Sequence, residues 1–253
     1  VPSVIVVLIL TTTVSSISAI QILRAERQID LNSHIVRVYL TLEVENAGEA
    51  PASEVLLAFP PAQFDHLAMV KAAVTTVKKK KTSYVPLAVN PAKREAPNDT
   101  KFYAVTLLKP LERSESTTLE ILYVLTHSLE PFPAEISQSE SQMVYYQDSA
   151  VILSPYHIKH QATLLKTPSK KIESFTRVEP SRASGSEITY GPFEDRAPFS
   201  YSPIISHFEN NSPFAFVEEL EREIEISHWG SISVTEHYKL ANAGAKHKGI
   251  FSR

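Results

Sequence analysis

Nine histidines are the residues of this chain that could most readily serve catalysis or metal binding. His157 and His160 are three residues apart, a spacing at which two imidazoles can share one face of a helix. They follow Ser154-Pro-Tyr156, which is typical of a strand end, so we interpret both as surface-loop residues. No His-Glu-x-x-His sequence occurs. We therefore predict no metal site and no catalytic residue.

Two charged runs offer further chemistry. Glu219, Glu221, Glu223 and Glu225 recur with period two, which places their side chains on one face of a strand, about 7 Å apart. We favour a solvated sheet face; calcium binding or acid–base catalysis is the alternative. The basic run Lys78–Lys81 predicts a solvated hairpin tip, with contact to phosphate or lipid headgroups as the alternative.

Nucleotide and nucleophile motifs are absent from the sequence. No two of the six glycines are two positions apart, which excludes the dinucleotide fingerprint. Gly244-Ala-Lys-His-Lys-Gly249 has the glycine spacing of a phosphate loop but continues Ile-Phe, so we interpret it as a basic turn. There is no Gly-x-Ser-x-Gly elbow, no Asp-x-Asp and no cysteine. We predict no cofactor.

The single tryptophan and two glycosylation sequons complete the candidates. Trp229, beside His228, lies between two predicted strands; we interpret it as a core anchor at a turn, with ligand binding as the alternative. Asn98-Asp-Thr100 lies in a polar, proline-containing stretch and is predicted to be exposed, so Asn98 is a candidate for N-glycosylation. Asn210-Asn-Ser212 is the weaker candidate, because Pro213 comes directly after it and hinders modification of Asn210.

The elements that position these residues are predicted to be strands. The chain has 253 residues, 43% of them hydrophobic, and a net charge of −3, which fits one or two globular domains and argues against a general nucleic-acid binder. Apolar residues alternate with polar ones from Val36 to Val44 and again from Ile232 to Leu240. A helical pattern is found only weakly, around Pro61–Val77. The fold is predicted to be mainly β and sandwich-like.

The first 23 residues carry no charge and contain the apolar run Val4–Leu10, with small residues after it. This pattern predicts a secretory signal peptide over 1–19, cleaved near Ala19 and incomplete at its start; a buried N-terminal strand is the alternative. No later segment approaches the roughly 18 consecutive apolar residues of a membrane span.

An internal similarity changes the predicted number of domains. Arg27-Gln-Ile-Asp-Leu31 and Asn46-Ala-Gly48 resemble Arg222-Glu-Ile-Glu-Ile226 and Asn242-Ala-Gly244, at separations of 195 and 196 residues. We predict a first β domain over 20–217 and the first strands of a duplicate over 218–253, cut off at the last residue.

Several ordered motifs resemble the ribophorin I family. They are found from residue 121 onward in particular: 125–146 (which opens Leu-Thr-His-Ser-Leu-Glu-Pro-Phe-Pro), Ser154-Pro-Tyr156, Tyr190-Gly-Pro-Phe193, 207–214 (His-Phe-Glu-Asn-Asn-Ser-Pro-Phe), 224–230 (Ile-Glu-Ile-Ser-His-Trp-Gly) and 248–253 (Lys-Gly-Ile-Phe-Ser-Arg). The resemblance covers roughly residues 22–253 and is loosest around 62–101.

The resemblance implies a non-catalytic subunit of the oligosaccharyltransferase complex of the endoplasmic reticulum. That complex transfers a preassembled oligosaccharide from dolichyl diphosphate to Asn of Asn-x-Ser/Thr in nascent polypeptides, with catalysis in another subunit. Family members are single-pass membrane glycoproteins. Their luminal part has two β domains similar to the non-catalytic β domain of zinc aminopeptidases.

The implied role is complex assembly and the handling of acceptor polypeptides. The implied partners are the other subunits, the catalytic one included, and nascent chains near the protein-conducting channel, with anchoring by a part C-terminal to this sequence. Two alternatives stay open: an enzyme of the aminopeptidase class, against which the absent His-Glu-x-x-His argues, and a secreted β-sandwich that binds glycans or mediates adhesion.

Overall fold

A computed structural model describes residues 20–78 and 81–250, which are almost entirely β. The predicted signal peptide, 1–19, lies outside the described residues. The strands are β1 (Ile20–Asp30), β2 (Val36–Asn46), β3 (Ala52–Phe59), β4 (Leu67–Lys78), β5 (Lys81–Leu87), β6 (Val89–Ala92), β7 (Lys101–Leu111), β8 (Ser116–Leu125), β9 (Leu129–Pro131), β10 (Glu135–Ile136), β11 (Met143–Ser149), β12 (Ile158–Lys166), β13 (Ile172–Phe175), β14 (Ser181–Ser184), β15 (Glu187–Arg196), β16 (Pro203–Glu209), β17 (Ala215–Ile226), β18 (Ile232–Asn242) and β19 (Lys246–His247).

Three sheets build the main body. The largest has eight strands in the order β14-β15-β12-β1-β2-β8-β4-β5; the others are β13-β16-β11-β9 and β3-β7-β6. Neighbouring strands of these sheets are antiparallel except for β1 and β12, which run parallel. Two small pairings complete the fold: β17 with β18, and β10 in parallel with β19.

One hydrophobic core joins the three sheets. On β2 the residues from Val36 to Val44 that alternate in the sequence are buried at every second position, which leaves Tyr39 on the other face 44% exposed. The buried face of the large sheet shares one cluster with Val55 and Val105 of the three-stranded sheet and Phe208 of the four-stranded sheet. The three-stranded and four-stranded sheets therefore pack on one face of the large sheet. The prediction of a mainly β, sandwich-like fold is confirmed.

The weak helical pattern around Pro61–Val77 is correct for only one turn. Helix α1 spans Pro61–Phe64, and Leu67 begins strand β4, which pairs with β8 on one side and β5 on the other. The β-branched run Val74-Thr-Thr-Val77 suits a pleated strand better than a helix, and the ladders on both sides of β4 satisfy its backbone. No helix within residues 20–78 and 81–250 is long and apolar enough to cross a membrane.

Candidate functional site

The hairpins β1–β2 and β17–β18 have the same strand register. Ile29 pairs with Val38 in the first, and Ile224 pairs with Val234 in the second. Ile20 faces Asn46 just as Ala215 faces Asn242. The offset is 195 residues on the first strand and 196 on the second, so one residue is inserted in the connecting loop.

Two irregularities recur at matching positions as well. The ladder of β1–β2 shifts between Ile22 and Arg24, and that of β17–β18 shifts between Val217 and Glu219, which again is an offset of 195. After each hairpin the asparagine side chain accepts a hydrogen bond from the backbone two residues on: Gly48 N to Asn46 Oδ1 at 3.0 Å, and Gly244 N to Asn242 Oδ1 at 3.1 Å.

The two hairpins differ in burial. Ile22, Ile29 and Val38 are completely or almost completely buried, whereas their counterparts Val217, Ile224 and Val234 are 49%, 57% and 54% exposed. We call this exposed surface the hairpin face. It comprises Val217, Leu220, Ile224, Ile226, Ile232, Val234, Tyr238 and Leu240. An apolar surface of this kind, interrupted by one charged pair (Arg222 and Glu236), is typical of an interaction site, and it is the candidate functional surface of the chain.

The buried counterpart of this surface carries an ion pair. Arg27, in phase with the apolar residues of β1, lies 3.5 Å (Nη1 to Oδ1) from Asp148 on β11, and both side chains are 3% exposed. Its guanidinium also donates to the carbonyl oxygen of Ser149. Tyr146 Oη donates to Asp148 Oδ2 at 2.7 Å, and Gln63 Nε2 of helix α1 donates to Asp148 Oδ1 at 2.7 Å.

Burial and charge together set the ionisation of this cluster. Burial is the largest single effect and opposes the charge of Arg27, but Asp148, Tyr123 and Tyr146 together outweigh it and raise the pKa of Arg27. Burial raises the pKa of Tyr123 to about 12; Asp148 adds to the shift, and Arg27 opposes it. Burial, helped by Asp148, raises the pKa of Tyr146 well above its ordinary value. Both phenols therefore stay protonated and donate or pack as neutral groups at physiological pH.

The Asp148 cluster is suited to structure rather than to proton transfer. Its two carboxylate oxygens accept from Arg27, Gln63, Tyr146 and the backbone of Ser149, so their lone pairs are occupied. A cleft of about 170 Å³ opens next to it. Among the residues that the structure describes, no three His, Asp or Glu side chains come together as a metal site would require.

The second hairpin contains the same three chemical groups on its own strands. Arg222, the counterpart of Arg27, donates through Nε to Glu236 Oε1, and Tyr238 Oη donates to Glu236 Oε2 at 2.7 Å. Glu236 occupies the position of Leu40, so the carboxylate comes from the paired strand rather than from a distant one. The charges of Arg222 and Glu236, which lie within the hairpin face, are thereby neutralised locally.

The structure places the two sequons in different environments. Asn98 is exposed in the turn Pro97–Asp99, where its own backbone angles are left-handed. Asn210 is 1% exposed; its Nδ2 donates to the Leu31 carbonyl at 3.4 Å, and its Oδ1 accepts from Ser212 N. The modification of either residue stays a prediction.

The histidines and the tryptophan do not gather into one site. His157 and His160 lie 3.7 and 3.9 Å from Asp195 and Glu194 of the neighbouring strand β15, each as a separate pair. Trp229 is 97% exposed at the tip of β17–β18, so its interpretation as a core anchor is wrong. Ile226 and Ile232 already pair, so the loop that contains Trp229 is too short to fold back on the strands.

The charged runs lie where the sequence predicts them. Glu219 to Glu225 share the face of β17 opposite the hairpin face and are exposed. Lys78 pairs with Lys81 at the end of the β4–β5 hairpin, while 79–80 lie outside the described residues. The basic turn 244–249 contains β19, which pairs with β10.

Sequence reasoning missed the Arg27–Asp148 cluster. One signal was available: Arg27 stands in phase with Ala25 and Ile29, on the face that the alternation buries. A buried arginine requires a carboxylate, but Asp148 lies 121 residues away, and no local pattern identifies it.

Comparison with known proteins adds to this geometry. The model of the Ribophorin I family matches residues 20–253. Dolichyl-diphosphooligosaccharide–protein glycosyltransferase subunit 1B of Arabidopsis thaliana is 62% identical, over 98% of this chain and 53% of its own length. The subunit 1B of Oryza sativa subsp. japonica is 55% identical over 93% and 50%, and subunit 1 of Caenorhabditis elegans is 36% identical over 90% and 38%. The chain thus spans about half the length of its plant subunit 1B relatives.

Solved structures that resemble the chain include yeast LTA4 hydrolase in complex with bestatin, with a TM-score of 0.43 and 9% identity over 81% of this chain and 29% of the hydrolase. An M1 zinc metallopeptidase from Deinococcus radiodurans has a TM-score of 0.37 and 12% identity, over 86% and 47%. Likeness at this level carries no argument about activity. The family model, by contrast, covers every described residue, and the chain belongs to the ribophorin I family.

Proposed function

We propose that this chain is a luminal part of a non-catalytic subunit of the oligosaccharyltransferase complex. Its membership of the ribophorin I family and its identity of 62% to a subunit 1B support the assignment to that complex. Catalysis in another subunit of the complex is part of the same proposal, as the family resemblance implies.

The role that we propose is complex assembly, which rests on family membership, whereas the hairpin face supports a further domain of this same protein. Eight large apolar side chains, each 47–75% exposed, occupy one side of β17–β18. At about 25 cal/mol per Å² of apolar area, covering such a surface is strongly favourable in water. The position-by-position match with β1–β2 supports a second β domain that begins with β17 and buries this face. Because Ala215 is the counterpart of Ile20, we propose 20–214 as the first domain in place of the 20–217 expected from the sequence.

A groove on the four-stranded sheet is our candidate for contact with acceptor polypeptides. Phe132 and Ile205, 60% and 48% exposed, border an open groove of about 270 Å³ together with Tyr145 and His207. The rings of Phe132 and His207 are 5.7 Å apart, and His207 Nε2 bonds to the Phe132 carbonyl at 2.9 Å, which fixes the groove wall. Rigid aromatic surfaces of this type bind extended chains with little loss of side-chain entropy.

Co-purification tests the assignment. The complete protein, tagged and extracted from microsomes in mild detergent, is expected to bring down the catalytic subunit of the transferase. Protection from added protease in intact microsomes tests the luminal location separately. A complete protein that is recovered free of the complex and outside sealed microsomes would refute the proposal and favour a secreted β-sandwich.

The polypeptide groove needs its own variant. Replacing Ile205 and Phe132 by serine is expected to reduce photo-crosslinking of nascent chains to the subunit while co-purification with the catalytic subunit persists. Tyr39→Ser, on the exposed face of the large sheet, is the control and should leave cross-linking unchanged. Unchanged cross-linking in the groove variant would remove this surface from the proposal.

A further inference from the structure

The loop that carries Asn98 has a defined shape. Asn98 and Asp99 both have left-handed backbone angles, with φ of 55° and 52°, a conformation that asparagine and aspartate adopt more readily than other side chains. Thr100, the third residue of the sequon, is 7% exposed, and its hydroxyl donates to the Pro97 carbonyl at 2.7 Å. The loop therefore points the Asn98 side chain outward while it buries the threonine.

An apolar groove begins at the same asparagine. It has a volume of about 250 Å³ and is lined by Asn98 itself, Pro61, Pro97, Leu153, Phe199 and Tyr201. Tyr201 is 49% exposed. The volume is smaller than the roughly 300–1,000 Å³ of pockets that hold drug-sized ligands, so one or two sugar rings would fill it. The face of a pyranose that carries its C–H groups is apolar and gains by packing on aromatic and proline rings.

We propose that Asn98 carries an N-linked glycan whose first N-acetylglucosamine packs in this groove against Tyr201 and Phe199. The proposal rests on the luminal location proposed above, because the sugar donor is a lipid diphosphate oligosaccharide used on that side of the membrane. In the transfer, the amide nitrogen of Asn98 bonds to C1 of the donor sugar. The bond from C1 to the diphosphate oxygen breaks, the lipid diphosphate leaves, and the amide loses one proton.

The buried threonine fixes when the glycan is added. A transferase that recognises Asn-x-Thr needs access to the threonine hydroxyl, which in the folded loop is bonded to Pro97. Modification of Asn98 therefore precedes the folding of this loop, and the groove receives a sugar that is already attached. Asn210 differs, since its own Nδ2 is bonded to Leu31 in a position 1% exposed, where a glycan would prevent folding.

Site occupancy is the first test. The complete protein is isolated from microsomes, treated with an endoglycosidase that leaves one N-acetylglucosamine, and digested for mass spectrometry. The expected result is the sugar stub on the peptide containing Asn98 and an unmodified Asn210. Protease protection of the same microsomes is measured in parallel. A protected protein with unmodified Asn98 overturns this inference alone, whereas an unprotected protein overturns the proposed function with it.

Packing in the groove is the second test. Asn98→Asp removes the glycan and keeps a residue that tolerates the left-handed backbone. Loss of the sugar is expected to lower the Tm of the purified protein by about 2–4 °C. The enzymatically trimmed wild type, which retains the first sugar, should keep its Tm. In a Tyr201→Ala background the Asn98→Asp step should cost nothing further.

Tyr39→Ala is the matched control, because Tyr39 is 44% exposed on the face of the large sheet that points away from the core. In that background, Asn98→Asp should lower the Tm by the same amount as in the wild type. An equal fall in the Tyr201→Ala and Tyr39→Ala backgrounds would overturn the packing of the sugar in the groove.

Discussion

The hairpins β1–β2 and β17–β18 have the same register, the same ladder shift and the same asparagine turn, yet one is core and the other is surface. Ile29 is 0% exposed and its counterpart Ile224 is 57% exposed. The shape of such a hairpin is therefore set by its own sequence: alternation, a position for the irregularity and an Asn-Ala-Gly turn. The sequence of the hairpin does not determine which part of the molecule covers it.

The two hairpins differ in how the charge of their corresponding arginine, Arg27 or Arg222, is neutralised. Arg27 is neutralised by Asp148 from a distant strand, a solution that works only when the sheets have packed. Arg222 is neutralised by Glu236 on the adjacent strand before anything covers it. A surface with its charge already paired can be buried with a smaller desolvation penalty.

The largest expected effect comes from breaking the buried pair. Arg27→Met leaves Asp148 charged in the core and should lower the free energy of unfolding by about 3–5 kcal/mol. Arg222→Met removes an exposed partner of Glu236 and should change the free energy of unfolding very little. Urea denaturation of the two variants of the 253-residue chain makes the comparison.

The double variant Arg27→Met with Asp148→Leu is the control for the buried charge. It should be more stable than Arg27→Met alone, because no unpaired ion is then left in the core. Equal losses for Arg27→Met and Arg222→Met would show that the two hairpins do not differ in burial.

The next effect concerns the apolar partners. Ile29→Ala should cost about 2–5 kcal/mol through lost burial and the cavity that remains. Ile224→Ala in the 253-residue chain should stay within about 0.5 kcal/mol of the wild type. Urea midpoints measured at an unchanged slope test both.

The same substitution sharpens the proposed second domain. In a longer protein that continues past residue 253, Ile224→Ala should become as costly as Ile29→Ala if that domain covers the hairpin face. Ser233→Ala, on the opposite face of β18, is the control and should have little effect in either length of chain. A cost that stays near zero in the longer protein would contradict the domain assignment.

These contrasts also show how far the sequence predicts the molecule. Strand period, the duplicated Arg and Asn-Ala-Gly signals and the acidic face of β17 are local patterns, and the structure contains them. The pairing of β1 with β12, the contact of Arg27 with Asp148 and the continuation of α1 into β4 depend on residues distant in sequence. The prediction for Trp229 is wrong for a similar reason: its large indole suits a core, but a tight loop holds it in solvent.

The turn asparagines give a smaller effect. Asn46 is 1% exposed, and its Nδ2 donates to the carbonyls of Ala50 and Leu111 at 2.8 and 2.9 Å. Asn46→Ala leaves those oxygens without this donor and should cost about 1–3 kcal/mol. Asn242 accepts from Phe214 N and Gly244 N in a more open setting, so Asn242→Ala should cost less. Thermal unfolding of both variants tests the order, and a larger loss for Asn242→Ala would reverse it.

The last contrast is visible only in alkali. Tyr123 has a folded-state pKa of about 12, raised by burial, whereas an unfolded tyrosine titrates near pH 10. A raised pKa contributes stability that is complete below about pH 10 and is lost as the pH rises towards 12, because the unfolded chain then releases the proton first. Tyr146, whose pKa burial also raises, acts in the same direction. The urea midpoint, measured between about pH 8 and pH 12, should decrease as the pH rises through the upper half of this range. Tyr123→Phe should make that decrease smaller. Tyr238→Phe, on the exposed hairpin, should change the profile much less: the hydrogen bond to Glu236 also raises the pKa of Tyr238, but solvent screens that interaction. A fall that is unaffected by Tyr123→Phe but removed by Tyr238→Phe would place the sensitive phenol on the wrong hairpin and contradict the assignment of the first as core.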